Sequence, residues 1–157
     1  MAENKKIAVI GVGNILLRDE GLGVRALDRL RARKVPENVT LHDAGTSLPL
    51  VLGSFHGFDK IIIVDAVRAR GEPGAIYRFT LEELEAGQGR ERRPMISLHE
   101  LDVPQALALE KAVSRLPDEI VFLGMEPENL EPGLELTRPV LRKMEDLISA
   151  IEREFGY

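Results

Sequence analysis

The chain has no cysteine and no tryptophan, and its 157 residues include only two Tyr and five Phe. Without cysteine there is no disulfide, no thiolate metal site and no cysteine nucleophile. With so few aromatic residues, the core must be aliphatic. Positive charge is not in excess either: 21 Lys and Arg against 26 Asp and Glu give a net charge of −5, which argues against the basic face of a nucleic-acid binder. No apolar run approaches the roughly 18 residues of a membrane span, and none follows the charged start. A soluble, cytoplasmic protein without membrane insertion is expected. Two motifs of hydrolytic enzymes are also missing. There is no G-x-S-x-G elbow, and Ser97 is too near His99 in sequence to imply a triad. There is no H-E-x-x-H, which argues against a resident zinc-protease site.

What is present is organised around Lys5 to Gly23. Ile7, Ala8, Val9 and Ile10 run into Gly11-x-Gly13-Asn14, as a buried strand entering a tight turn does. Asp19 and Glu20 follow, then Gly21 and Gly23, then a helical pattern. A dinucleotide fingerprint would need a glycine where Leu16 stands. It would also place an anion where this chain has two carboxylates, whereas an acidic helix start suits a cation or the helix dipole.

Along the chain, a strand is expected over about Lys6 to Val12 and a helix from near Glu20 to Arg33, with Val24, Leu27 and Leu30 inward. The basic cluster Arg29, Arg31, Arg33 and Lys34 suits a helix C-terminus. Val39 to Leu41 reads as a short second strand leading into His42 and Asp43, and Pro49 to Phe55 as a short apolar helix. Ile61 to Val64 is a β-branched run without polar alternation, hence a central strand covered on both faces and ending at Asp65. Ala75 to Phe79 reads as a further strand at an edge. A short helix then gives way to a charged, glycine-containing loop from Glu85 to Arg93, expected to be mobile. Asp102 or Pro104 opens a helix, Glu119 to Met125 is a buried strand, and Thr137 caps a last helix with Pro139 in its first turn. In that helix Val140, Leu141, Met144, Leu147, Ile148, Ile151 and Phe155 recur at helical spacing. The expected fold is α/β: one domain over residues 1–157, a three-layer sandwich with a twisted, mostly parallel but mixed sheet of about five strands and helices on both faces.

In such sheets, sites lie beyond the carboxyl ends of the strands. That rule selects Glu20, Asp43 and Asp65, with His99 as the other candidate of comparable kind; Glu20, Asp65 and His99 are expected at exposed loop tips. A histidine and two carboxylates converging there would suit a borderline divalent metal. Each also has a plain structural explanation, as a first-turn acid, a loop cap or a semi-buried histidine. His42 and His56 have less to recommend them.

The segment GVGNILLRDEGLGV closely resembles the opening of the hydrogenase maturation endopeptidases, in which a G-x-G-N-x-L-x-x-D motif is followed by a second acid and a later glycine. The likeness continues through DAGT at Asp43 to Thr46, IIIVDA at Ile61 to Ala66, PGAIYRF at Pro73 to Phe79, SLHELDVPQ at Ser97 to Gln105, and FLGMEP. The resemblance implies a nickel-dependent peptide hydrolase whose metal-binding and catalytic residues are, by position, Glu20, Asp65 and His99. It implies removal of a C-terminal peptide from the precursor of a NiFe-hydrogenase large subunit after nickel insertion. The substrate would supply the nickel, and the chain would hold no tight cofactor of its own. Asp19 could orient the loop or be an exposed surface residue. Two other readings stay open: a nucleotide-binding module or oxidoreductase using Gly11, Gly13 and Asp43, and a non-catalytic metallochaperone sharing the same three ligands.

Overall fold

The computed structural model describes residues 4–86, 95–96 and 116–156. Strands β1 (Ile7–Val12), β2 (Val39–Gly45), β3 (Lys60–Arg68), β4 (Ile76–Thr80) and β6 (Glu119–Met125) form one sheet in the order β2-β1-β3-β6-β4. The first three and β6 are mutually parallel where they pair, and β4 runs antiparallel along β6 at the edge. A two-residue β5, Met95–Ile96, pairs antiparallel with the far end of β3. The mixed, mostly parallel sheet is the one expected.

The pleat of β3 explains its central place. Ile62, Val64 and Ala66 belong to one core cluster, and Ile61, Ile63 and Val67 to the other. Side chains alternate across a strand, so a continuous β-branched run needs cover on both sides. On the first side lie α1 (Leu22–Arg31) and α4 (Arg138–Arg153), through residues such as Leu27, Leu30, Met144 and Ile148. On the second lie the short α2 (Leu48–Val51), the 3-10 turn Leu52–Phe55 and α3 (Leu81–Ala86), through Leu48, Phe55 and Leu81.

Several boundaries differ from expectation for physical reasons. Strand β3 does not stop at Asp65, which pairs in register with Gly124 and is followed by Ala66 opposite Met125. Likewise β2 continues through His42 and Asp43, which lie opposite Ile10 and Gly11. The first helix is preceded by a tighter 3-10 turn, Arg18–Gly21, and becomes regular at Leu22. Within α4, Leu141 is 44% exposed and takes no part in docking. The basic cluster does more than face a helix dipole: Arg29 donates to Glu145 at 2.8 Å and Arg33 to Glu152 at 3.2 Å, tying α1 to α4. The helix expected from Asp102 or Pro104 and residues 87–93 of the charged loop lie outside the described residues, while Glu85 and Ala86 close α3.

Candidate active site

The sheet reverses direction of growth at β1, which has β2 on one side and β3 on the other. Open α/β sheets bind ligands in the crevice beyond such a switch point. Three glycines shape this one by letting backbones meet. A Cβ on Gly23 would lie 2.2 Å from the Val64 carbonyl oxygen and 2.5 Å from that of Val12, so α1 presses its first turn onto the ends of β1 and β3. A Cβ on Gly11 would meet the Gly23 carbonyl oxygen at 2.7 Å. Gly13, at φ 136°, leaves room for the Glu20 carbonyl oxygen, which a Cβ would approach to 1.8 Å. The gap that admits a pyrophosphate in a dinucleotide site is thus filled here by the chain's own carbonyl, which repels an anion. Asp43, the ribose-binding candidate of that reading, is exposed, and its Oδ1 accepts the N–H of its own Gly45 at 2.8 Å.

The same close packing buries the acidic turn. Glu20 is 3% exposed and Asp65 2%, so neither sits at the exposed loop tip that the sequence suggested. The turn carrying Glu20 packs against β3. Asp65 Oδ1 accepts the Ala66 N–H at 2.7 Å, while Oδ2 is buried without a hydrogen-bond partner among the described residues. Burial pushes the Asp65 carboxyl well above the ordinary carboxylate range; the Ala66 N–H opposes that shift and the charge of Glu20 adds to it. Burial and the neighbouring Glu20 thus both disfavour the charged form of Asp65, whose second oxygen is uncommitted among the described residues. Among the described residues no three His, Asp or Glu side chains are grouped to hold a metal. The remaining candidate, His99, lies outside the described residues.

Asp19 is neither an exposed surface residue nor a ligand in waiting. It is fully buried, and its Oδ2 accepts the N–H groups of Glu128 at 2.9 Å and Asn129 at 3.1 Å and the Thr137 hydroxyl at 2.7 Å. Its Oδ1 accepts the Thr137 N–H at 2.8 Å. Thr137 does stand at the N-cap of α4, but its hydroxyl serves Asp19 and makes no cap hydrogen bond. Asp19 therefore clamps the 128–137 loop to the acidic turn. Sequence reasoning also passed over Glu126, just beyond β6. Its Oε1 accepts the N–H groups of Ala69 at 2.9 Å and Gly71 at 2.7 Å and the Tyr77 hydroxyl at 3.1 Å, which fixes the loop leaving β3. The strand-end rule that selected Asp65 selects Glu126 equally well. His42 packs edge-on to Phe55, with ring centroids 5.2 Å apart, and His56 Nδ1 lies 3.0 Å from the Gly53 carbonyl oxygen.

A cleft of about 390 Å³ opens beside the turn, lined by Gly13 to Leu16 together with Val24, Asp43, Gly45 and Thr46. The Gly13 to Leu16 wall of this cleft leads directly into the turn that carries Asp19 and Glu20.

Known proteins resemble the chain along most of its length. The family described as hydrogenase maturation protease matches residues 24–154, a span that includes Asp65 and His99. The hydrogenase 2 maturation protease of Escherichia coli (strain K12) is 34% identical over 148 residues, covering 93% of this chain and 88% of that protein. The hydrogenase expression/formation protein HupD of Bradyrhizobium diazoefficiens is 32% identical over 160 residues, covering 99% of this chain and 82% of its own length. Among solved structures, the hydrogenase maturating endopeptidase HybD from E. coli superposes with a TM-score of 0.76 at 32% identity, over 96% of this chain and 94% of that one. The hydrogenase 2 maturation peptidase of a Thaumarchaeota archaeon does so with a TM-score of 0.73 at 28% identity, over 97% and 99%. No helix among the described residues is long and apolar enough to cross a membrane. On its matched span, its relatives and its fold, the chain belongs to the hydrogenase maturation protease family.

Proposed function

We propose that this protease removes the C-terminal peptide from the precursor of a NiFe-hydrogenase large subunit once nickel is in place, and that it reads that nickel with Glu20, Asp65 and His99. The observation that supports this reading most is the pair of buried acids, with Asp65 Oδ2 left without a hydrogen-bond partner among the described residues. A buried acceptor in that state costs stability, and an approaching cation relieves the cost. The nickel belongs to the substrate. A chain without cysteine can offer only an imidazole and carboxylates, whereas the thiolates of a hydrogenase precursor hold such a metal far more firmly. Nickel so placed supplies Lewis acidity to the scissile carbonyl or to a water. The chain's own part is to orient the peptide over the crevice, complete the coordination and hold the acidic turn rigid through Asp19. We read residues 1–157 as a single working domain that meets its precursor in the cytoplasm.

The test is to incubate the purified protein with nickel-loaded and nickel-free precursor and to measure the mass of the precursor's C-terminus. Loss of the tail from the nickel-loaded form alone is expected, with substoichiometric nickel in the protein purified without added metal. Cleavage of the nickel-free precursor, or stoichiometric nickel held by the free protein, defeats the reading.

A further inference from the structure

Arg18 is the residue of the acidic turn for which the cleavage reading has no use, yet the fold invests in its position. It is a non-glycine residue in the left-handed region, at φ 49°, where Cβ crowds the following carbonyl oxygen. A bridge to one glycine holds it there: Arg18 N–H donates to the Gly133 carbonyl at 2.9 Å, and Gly133 N–H donates to that of Leu16 at 2.9 Å. The side chain lies against that glycine, for a Cβ on Gly133 would meet Nε at 2.8 Å and Cζ at 2.9 Å. Nε is buried and has no hydrogen-bond partner among the described residues. The adjacent carboxylate, Asp19, is committed to Glu128, Asn129 and Thr137. The guanidinium is therefore seated and oriented but unpaired among the described residues.

Exposed apolar side chains lie on the segments around it, beside the acidic residues of the 128–137 loop. Of the four large hydrophobic residues exposed among the described residues, Ile15, Leu16 and Leu134 lie on the two segments that this bridge joins. Leu16 and Leu134 are 59% and 62% exposed. Exposed leucines flanking an unpaired arginine suit a polypeptide that brings both apolar side chains and a carboxylate, the group a guanidinium fork matches in two parallel hydrogen bonds. Arg18 and Glu20 share the turn Arg18–Gly21, so a precursor engaged at Glu20 is brought near Arg18.

We propose that Arg18, flanked by Leu16 and Leu134, is the carboxylate-binding subsite of the precursor-docking surface. The carboxylate comes from an acidic side chain near the scissile bond or from the terminal α-carboxylate of the tail. This inference rests on the precursor-processing reading above. The fixed backbone and buried Nε mean that little side-chain freedom remains to be lost on binding, which favours affinity.

The test compares initial cleavage rates of nickel-loaded precursor by wild type, Arg18→Gln and Arg18→Gly. Loss of a charge-assisted pair should raise KM roughly tenfold in both variants, with kcat changed by less than about twofold. Glycine accepts the left-handed conformation without strain, so Arg18→Gly should melt no lower than wild type, which separates lost docking from lost folding. Two altered precursors identify the source of the carboxylate: one amidated at its C-terminus, the other with Asp and Glu near the scissile bond changed to Asn and Gln. The alteration that removes the true partner should raise KM for wild type and leave it unchanged for Arg18→Gln. Wild type that cuts the precursor with the same KM as Arg18→Gln overturns the subsite and leaves the protease reading standing. Wild type that leaves nickel-loaded precursor whole overturns both.

Discussion

Replacing Asp65 by Asn removes a charge from a side chain that is 2% exposed, with little change in volume. The Oδ1 acceptor that serves the Ala66 N–H is kept. Burial is the main reason that the Asp65 carboxyl titrates well above 3.8; Ala66 opposes the shift and Glu20 adds to it. The folded protein therefore keeps this proton over a window in which the unfolded chain has released it. The stabilising share of the neutral form is whole below the unfolded value, about 3.9, and is lost as pH rises to the folded value. Within that window each pH unit costs the wild type about 1.4 kcal/mol, or about 3–6 °C of Tm for a chain of this size. Asn has no such titration. The difference in Tm, Asp65→Asn minus wild type, should start near zero in acid, climb with pH and level off once Asp65 is ionised in both states. Calorimetry in chelator-containing buffer from about pH 3 to about pH 8 measures it directly. The same variant should lose processing of nickel-loaded precursor, because an amide oxygen is a far poorer metal donor than a carboxylate. Parallel Tm curves, or a variant less stable than wild type at the upper end, would refute the assignment of Asp65 as a buried, strained acid.

Three further substitutions probe the frame around it. Asp19→Ala removes the acceptor of three backbone N–H groups and the Thr137 hydroxyl; it should cost about 3 kcal/mol or more in urea unfolding, and a loss under about 1 kcal/mol would make the clamp idle. Gly23→Ala drives a methyl into the Val64 and Val12 carbonyls, so it should cost about 1–3 kcal/mol and also lower processing by lifting the acidic turn from β3; unchanged activity would mean that the spacing does not matter. Val64→Ala, at a fully buried core position, should cost roughly 1–3 kcal/mol by cavity formation while retaining some processing; a stable but inactive protein would contradict its purely structural role.

The sheet was legible because β-branched runs and glycine turns are local signals. Ile61 to Val64 identifies a central strand from composition alone, and the crevice follows from strand order. The environment of the acids was not legible. A carboxylate after an apolar run reads as a strand end, yet β3 continues past Asp65 because the helix on Gly23 and the pairing with β6 bury it. The role of Asp19 depends on partners more than a hundred residues away, Glu128 to Thr137, and no periodicity reports such a contact. Glycine spacing looked like a failed nucleotide motif. In the fold it is a device for bringing backbones together, so that Glu20 lies against β3. The family likeness named Glu20, Asp65 and His99 by position; the turn carrying Glu20 packs on β3, close enough for its charge to act on Asp65, and His99 stands outside the described residues.

The central claim is that Glu20 and Asp65 bind the precursor's own nickel. X-ray absorption at the nickel edge, recorded on loaded precursor alone and on its complex with the protein frozen before cleavage, tests it most directly. The complex should add oxygen or nitrogen neighbours to a sulfur-rich nickel shell, and Glu20→Ala and Asp65→Ala should each remove part of that gain. A nickel spectrum unchanged by the wild-type protein, from a sample that goes on to lose its tail, would contradict the account.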